Sequence, residues 1–199
     1  MLDHSTYTEM VMDNYPEELA PEMDEGGGVV TPFEEWWPRV RHHFRHVPEE
    51  VGRDWLHRHW GYSPYHWIAS ADYRFQRVTL PVEDMPDVLS SWNNFSRDRA
   101  DLIKQGRFLV EDHRVHFGYK LANYMLEKGD YPVPVVILDN RDSHLVQWVK
   151  YPAGLILIEG HRRFNIACYL ASIGKFAATS DYWLMTKHQE QERPPSGSP

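Results

Sequence analysis

The sequence predicts an α/β (α+β) chain, and three observations carry that expectation. Pro132 to Leu138 reads PVPVVIL, a β-branched apolar run that suits a strand covered on both faces. Leu155 to Ile158 reads LILI and passes through Glu159-Gly160 straight into a helical pattern at Phe164, Ala167, Cys168, Leu170 and Ala171. Val115, Gly118, Tyr119, Ala122, Met125 and Leu126 place apolar groups at helical spacing ahead of the first strand.

Taken in order, residues 1–28 carry eight acids and no Lys or Arg, and end in Gly26-Gly27-Gly28. Such a segment lacks the apolar surface to fold by itself and is expected to be a disordered arm, serving solubility or docking a partner. Pro32 and Pro48 mark two short amphipathic helices, the first with Trp36, Trp37, Val40 and Phe44 on one side and Arg39, Arg41 and His43 on the other. An aromatic loop at Tyr62 to Trp67 leads to a strand near Phe75 to Val82. A helix from Pro86 through Trp92 and another from Ser96 to Gln105, ending at Gly106, complete a mainly helical extension over 29–106.

Phe108 to Val110 then reads as a short extended run, followed by a helix closed by Gly129. Leu145 to Lys150 and Leu155 to Ile158 read as a hairpin around Tyr151-Pro152-Ala153-Gly154. The box helix stops at Gly174, and Tyr182 to Met185 returns as a last strand. The core therefore spans 107–188, and 189–199 is a Pro/Ser-rich tail expected to be disordered.

Apolar residues make up 42% of the 199, enough for one sizeable core. The formal charge of -8 resides wholly in residues 1–28, because the other 171 residues hold 21 acids and 21 bases. A nucleic-acid binder running on bulk charge is thereby disfavoured. No apolar run reaches the roughly 18 residues of a membrane span, and no secretory leader is recognisable. A single cysteine, Cys168, permits no internal disulfide, so a reducing, cytoplasmic setting is expected. Its face, shared with Phe164 and Ala171, points to a buried structural thiol.

The informative feature is Glu159-Gly160-His161-Arg162-Arg163. A helix N-terminus has backbone N–H groups without internal partners and a partial positive charge, so it attracts anions. Two guanidiniums there repel the dipole and call for an anionic ligand or a carboxylate. Phosphate oxygens are one answer. Pairing of Arg162 or Arg163 with Asp139, Asp142 or Glu159 is the other, and the residues alone leave the two level.

The stretch LILIEGHRRFNIACYLASIGKF, with the helix ending at Gly129 and the strand PVPVVILDN before it, resembles the core of the ParB/sulfiredoxin superfamily over about residues 107–186. The resemblance implies a small mixed sheet with packed helices, in which Gly160, His161, Arg162 and Arg163 cradle the phosphates of CTP, ATP or ADP. Relatives include partition proteins, sulfinic-acid reductases, a free-serine kinase, nucleases and ADP-ribosylating toxins. Sulfiredoxins carry a reactive cysteine where His161 stands, so their chemistry is excluded. Partition proteins usually have Glu there and continue into a helix-turn-helix, for which the residues after the box helix leave no room. Sequence-specific DNA binding is not expected.

The resemblance thus leads to a nucleotide-binding protein performing phosphoryl or nucleotidyl chemistry, with Mg²⁺ bridging phosphate oxygens. Glu159, His161, Glu111 and Asp112 are the candidate catalytic groups, and Glu159 and Asp139 the candidate metal ligands. Helix capping by Glu111 and Asp112 competes with that role, as does a turn role for Asp139 with Asn140. The alternative function is a non-catalytic nucleotide sensor or interaction module, its partner met through the acidic arm or the Trp/His/Arg-rich extension. A nuclease or ADP-ribosylating toxin is the weaker alternative.

Overall fold

A computed structural model describes residues 17–61, 63, 73–144 and 151–187. The expectations for residues 1–16 of the arm, the loop after Tyr62 apart from Ser63, the strand Leu145 to Lys150 and the tail from 188 lie outside the described residues. Among the described residues, five strands form one mixed sheet, β1 (Tyr73–Pro81), β2 (Val88–Leu89), β3 (Val135–Asp139), β4 (Leu155–Glu159) and β5 (Thr179–Lys187), in the order β1-β5-β3-β4-β2. Neighbouring pairs alternate in sense: β1 runs antiparallel to β5, β5 parallel to β3, β3 antiparallel to β4 and β4 parallel to β2. The expected α+β class is therefore the one found. Among the described residues no helix is long and apolar enough to cross a membrane.

Helices cover both faces, and β3 shows why. Val136 and Leu138 point into an aromatic layer, while Val135 and Ile137 point the other way, because successive strand side chains alternate. The aromatic layer comes from α1 (Phe33–Val40) and α2 (Glu49–Val51), which continues as a wider π-helical segment, Gly52–His57. Pro32 and Pro48 stand at the N-caps of these helices, as their fixed φ favours. Trp36 is fully buried, and its indole N–H donates to the Leu19 carbonyl at 2.7 Å. The last part of the acidic arm is thereby tied down: Glu17–Leu19 is a turn of 3-10 helix, and Met23 bridges to Val29.

The opposite face is covered by α3 (Ala100–Arg107), by α5 (Lys120–Lys128), which the short α4 (Arg114–Phe117) precedes, and by α6 (His161–Ser172). Three expectations need correction here. Phe108 to Val110 is not extended; α3 runs on through a π-helical segment, Phe108–His113, because a three-residue apolar run carries no period of its own. The helix before Gly129 is broken in two at Gly118, whose φ of 60° is left-handed. Pro86 opens no helix: Val82–Asp87 is a 3-10 segment, and Val88–Leu89 joins the sheet beside β4. With β3 on its other side, β4 is an interior strand of the sheet.

Candidate functional site

The box lies where β4 hands over to α6. Gly160 takes φ 94°, and a Cβ there would meet Val135 Cγ1 at 2.5 Å, so glycine is required by the turn and by close packing on β3. No side chain caps α6. Of the residues that follow, each has a different fate.

Arg163 turns inward and is 7% exposed. It donates to the Val133 carbonyl at 3.0 Å and ion-pairs with Glu159 through Nη2. This is the carboxylate pairing that competed with phosphate, and it removes Arg163 from the cradle. Burial raises the Glu159 carboxyl above its ordinary range, against the pull of the Arg163 guanidinium. His59 Nε2 lies 3.6 Å from the other Glu159 oxygen, and burial holds that imidazole down at about 4.

His161 stacks on Trp92 with ring centroids 5.0 Å apart and an interplanar angle of 22°, and its Nε2 is 3.3 Å from Ser91 Oγ. Burial depresses its pKa to about 4, so near pH 7 it is neutral and adds no positive charge. Arg162 alone of the box cations faces outward. It lines a cavity of about 450 Å³.

The opposite wall of that cavity is one face of α3 and its π-helical continuation: Asp101, Lys104, Gln105 and Phe108 recur at i, i+3, i+4 and i+7. Trp92 and Leu109 complete the lining. Trp92 and Phe108 are 47% and 54% exposed, unusual for large aromatic side chains. Neither Arg162 nor Lys104 forms an ion pair among the described residues. The helices meet at Gly106, where a Cβ would stand 1.9 Å from the Asn165 carbonyl oxygen. Asn165, fully buried on α6, donates from Nδ2 to Gln105 Oε1 at 2.9 Å.

Glu111 and Asp139 are engaged elsewhere. Glu111 accepts from Arg107 Nε at 2.6 Å and from the Tyr169 hydroxyl, and that phenol, followed by the guanidinium, lowers its pKa. Asp112 is exposed on the same π-helical segment; neither acid caps a helix start. Asp139 accepts from Arg141 Nε at 2.8 Å and from the Arg141 backbone N–H at 3.2 Å, the turn role rather than a ligand role. The register of β3 against β4 pairs Asp139 with Leu155 and Glu159 with Val136. Three residues along β3, about 10 Å of strand, separate those two positions. Together with their guanidinium partners, that separation does not fit a shared Mg²⁺ site. Among the described residues no group of three or more His, Cys, Asp or Glu converges on one point. Cys168 is buried against Met85, Sγ to Sδ 3.7 Å, and burial pushes its thiol up to about 12.

No family model, curated protein or solved structure matches the chain. The site therefore stands on its own geometry. Trp92, Asp101, Lys104, Gln105 and Phe108 are not among the residues the sequence singles out, although the 101-104-105-108 spacing is present in it; a helix ended at Gly106 cuts that face in two.

Proposed function

We propose that this chain binds a nucleotide in the cleft between α3 and the N-terminus of α6, as a sensor or interaction module. The observation that carries the reading is the convergence, on one cavity, of two cations without ion-pair partners among the described residues and two exposed aromatic rings, beside an uncapped helix start. Arg162 and Lys104 supply charge-assisted donors for phosphate oxygens, and the first amides of α6 add their dipole. Trp92 and Phe108 offer faces on which a planar base stacks. Asp101 offers an acceptor for sugar hydroxyls.

Binding is supported better than phosphoryl transfer because three of the carboxylates that a transfer mechanism would use are committed. Glu159 is held by Arg163, Glu111 by Arg107 and Tyr169, and Asp139 by Arg141. The order of elements, with the box opening α6 after a strand and β5 closing the sheet, is in keeping with the resemblance to the ParB/sulfiredoxin core.

The test is a thermal-shift panel of CTP, ATP, ADP, GTP and UTP on the full chain. A nucleotide present at a hundred times its Kd stabilises by about 2.7 kcal/mol, a rise of several degrees for a chain of this length. Arg162→Ala with Lys104→Ala is expected to abolish the rise while leaving the unliganded melting temperature within about 2 °C. A shift that survives the double substitution, or no shift with any nucleotide, overturns the reading.

A further inference from the structure

Trp92 is an exposed ring on a well-braced turn. Ser91–Asn93 is one turn of 3-10 helix, the buried Ser90 accepts from the Trp92 backbone N–H at 3.2 Å, and the Asn93 amide donates to the Ser96 and Asp98 carbonyls at 3.0 and 2.8 Å. Those bonds fix the backbone but leave the indole its side-chain torsions. Among the described residues its one ring partner is His161, stacked with centroids 5.0 Å apart at 22°. The imidazole is anchored in turn: its backbone opens α6, and its Nε2 lies 3.3 Å from Ser91 Oγ, on the turn that carries the indole. Trp92 lines the cavity and His161 does not. One face of the indole is thus covered by the imidazole from outside the cavity lining, and the face open to a ligand is the other.

We infer that His161 is a positioning residue, which holds the Trp92 ring in the orientation on which a nucleotide base stacks and takes no part in binding phosphate. This inference rests on the nucleotide reading above. It replaces the phosphate-contacting role that the family resemblance implies for His161, and two observations favour it. The imidazole is neutral near pH 7 and brings no charge to a phosphate, and its ring lies against the indole instead of among the groups that line the cavity. A stacking platform held in place before the ligand arrives also spares the cost of ordering an exposed side chain on binding.

Calorimetry on the full chain with ATP and with inorganic tripolyphosphate separates the two contributions, since the second ligand carries phosphates and no base. The ratio of the two affinities reports stacking. Trp92→Ala should lower that ratio about tenfold, the scale of one base stacked on one aromatic ring. His161→Ala should lower it about fivefold, whereas His161→Phe, which restores a flat ring behind the indole, should keep it. Neither His161 variant should change the tripolyphosphate affinity by more than about twofold. Added to Trp92→Ala, His161→Ala should lower the ratio no further, because the imidazole acts through the indole. Tripolyphosphate binding that weakens in both His161 variants with the ratio unchanged overturns the inference, as does a ratio that falls alike in His161→Ala and His161→Phe, or losses that add in the double variant. ATP that binds the unaltered protein no more tightly than tripolyphosphate overturns it too, while dependence of both on Arg162 keeps the cradle intact. Failure of both ligands to bind overturns the nucleotide reading as well.

Discussion

Arg162 and Arg163 are adjacent on the chain and lie on different sides of a functional boundary, because consecutive helical residues project about 100° apart. Arg163, 7% exposed, falls on the inward side, where its guanidinium is matched to Glu159 four residues earlier at the end of β4 and to the Val133 carbonyl. Its contribution is to neutralise a carboxylate that β4 carries below the surface. Replacing Arg163 by Met should cost about 3–5 kcal/mol, since it strands a buried charge, and adding Glu159→Gln should recover most of that loss. Equilibrium denaturation of the single and double variants reads both numbers, and a double variant no more stable than Arg163→Met would contradict the pairing. The sequence shows that two arginines at a helix start conflict with its dipole, but not which one the protein's own acid claims. That choice depends on the phase at which β4 enters α6, which Gly160 fixes through its φ of 94°.

α3 and α6 cross at Gly106, and the contact is backbone on backbone. A Cβ at this position would overlap the Asn165 carbonyl at 1.9 Å and press on the Tyr169 side chain at 2.9 Å. Gly106→Ala gains up to about 1 kcal/mol in helix propensity but overpacks the crossing by about 1–3 kcal/mol or more. The expected result is a lower melting temperature and, because the helices are pushed apart, loss of the Asn165–Gln105 hydrogen bond and weaker nucleotide binding. Thermal melts with and without ligand check both effects; a variant as stable as the parent would mean that the crossing gives way easily. In the sequence Gly106 reads as a helix stop, which is the usual meaning of a glycine after a basic and polar stretch. Its actual role depends on a partner 59 residues later in the chain, and local pattern holds no trace of that. The strands β3 and β4 are legible for the opposite reason: burial on both faces leaves unbroken apolar runs that any window detects.

Across the whole molecule, residue 107, where the core is expected to begin, lies inside a continuous run of helix. It falls at the end of α3, and the segment before it supplies both outer strands of the sheet, β1 and β2, as well as the aromatic layer on one face. Val136, Leu138, Ile156, Ile158 and Met185 are buried against Trp36, Trp55, Phe44 and their neighbours, so a chain of 107–188 alone would expose one full side of its sheet. It would also leave β5 without the nine-residue antiparallel ladder it forms with β1. Burial of each large apolar side chain is worth about 1.5–3 kcal/mol, and five such residues exceed the margin of a domain this small. The fragment 107–188 should therefore lack a cooperative thermal transition and bind hydrophobic dye, whereas the full chain, with both faces covered, should melt cooperatively. A sharp melt and dispersed amide resonances from 107–188 would show that the Trp-rich layer is an accessory. The motif and the strands legible in the sequence lie within 107–188; the cover for the second face comes from a segment whose Trp, His and Arg composition announces burial and exposure at once, and only the tertiary contacts of Trp36 and Trp55 decide between them.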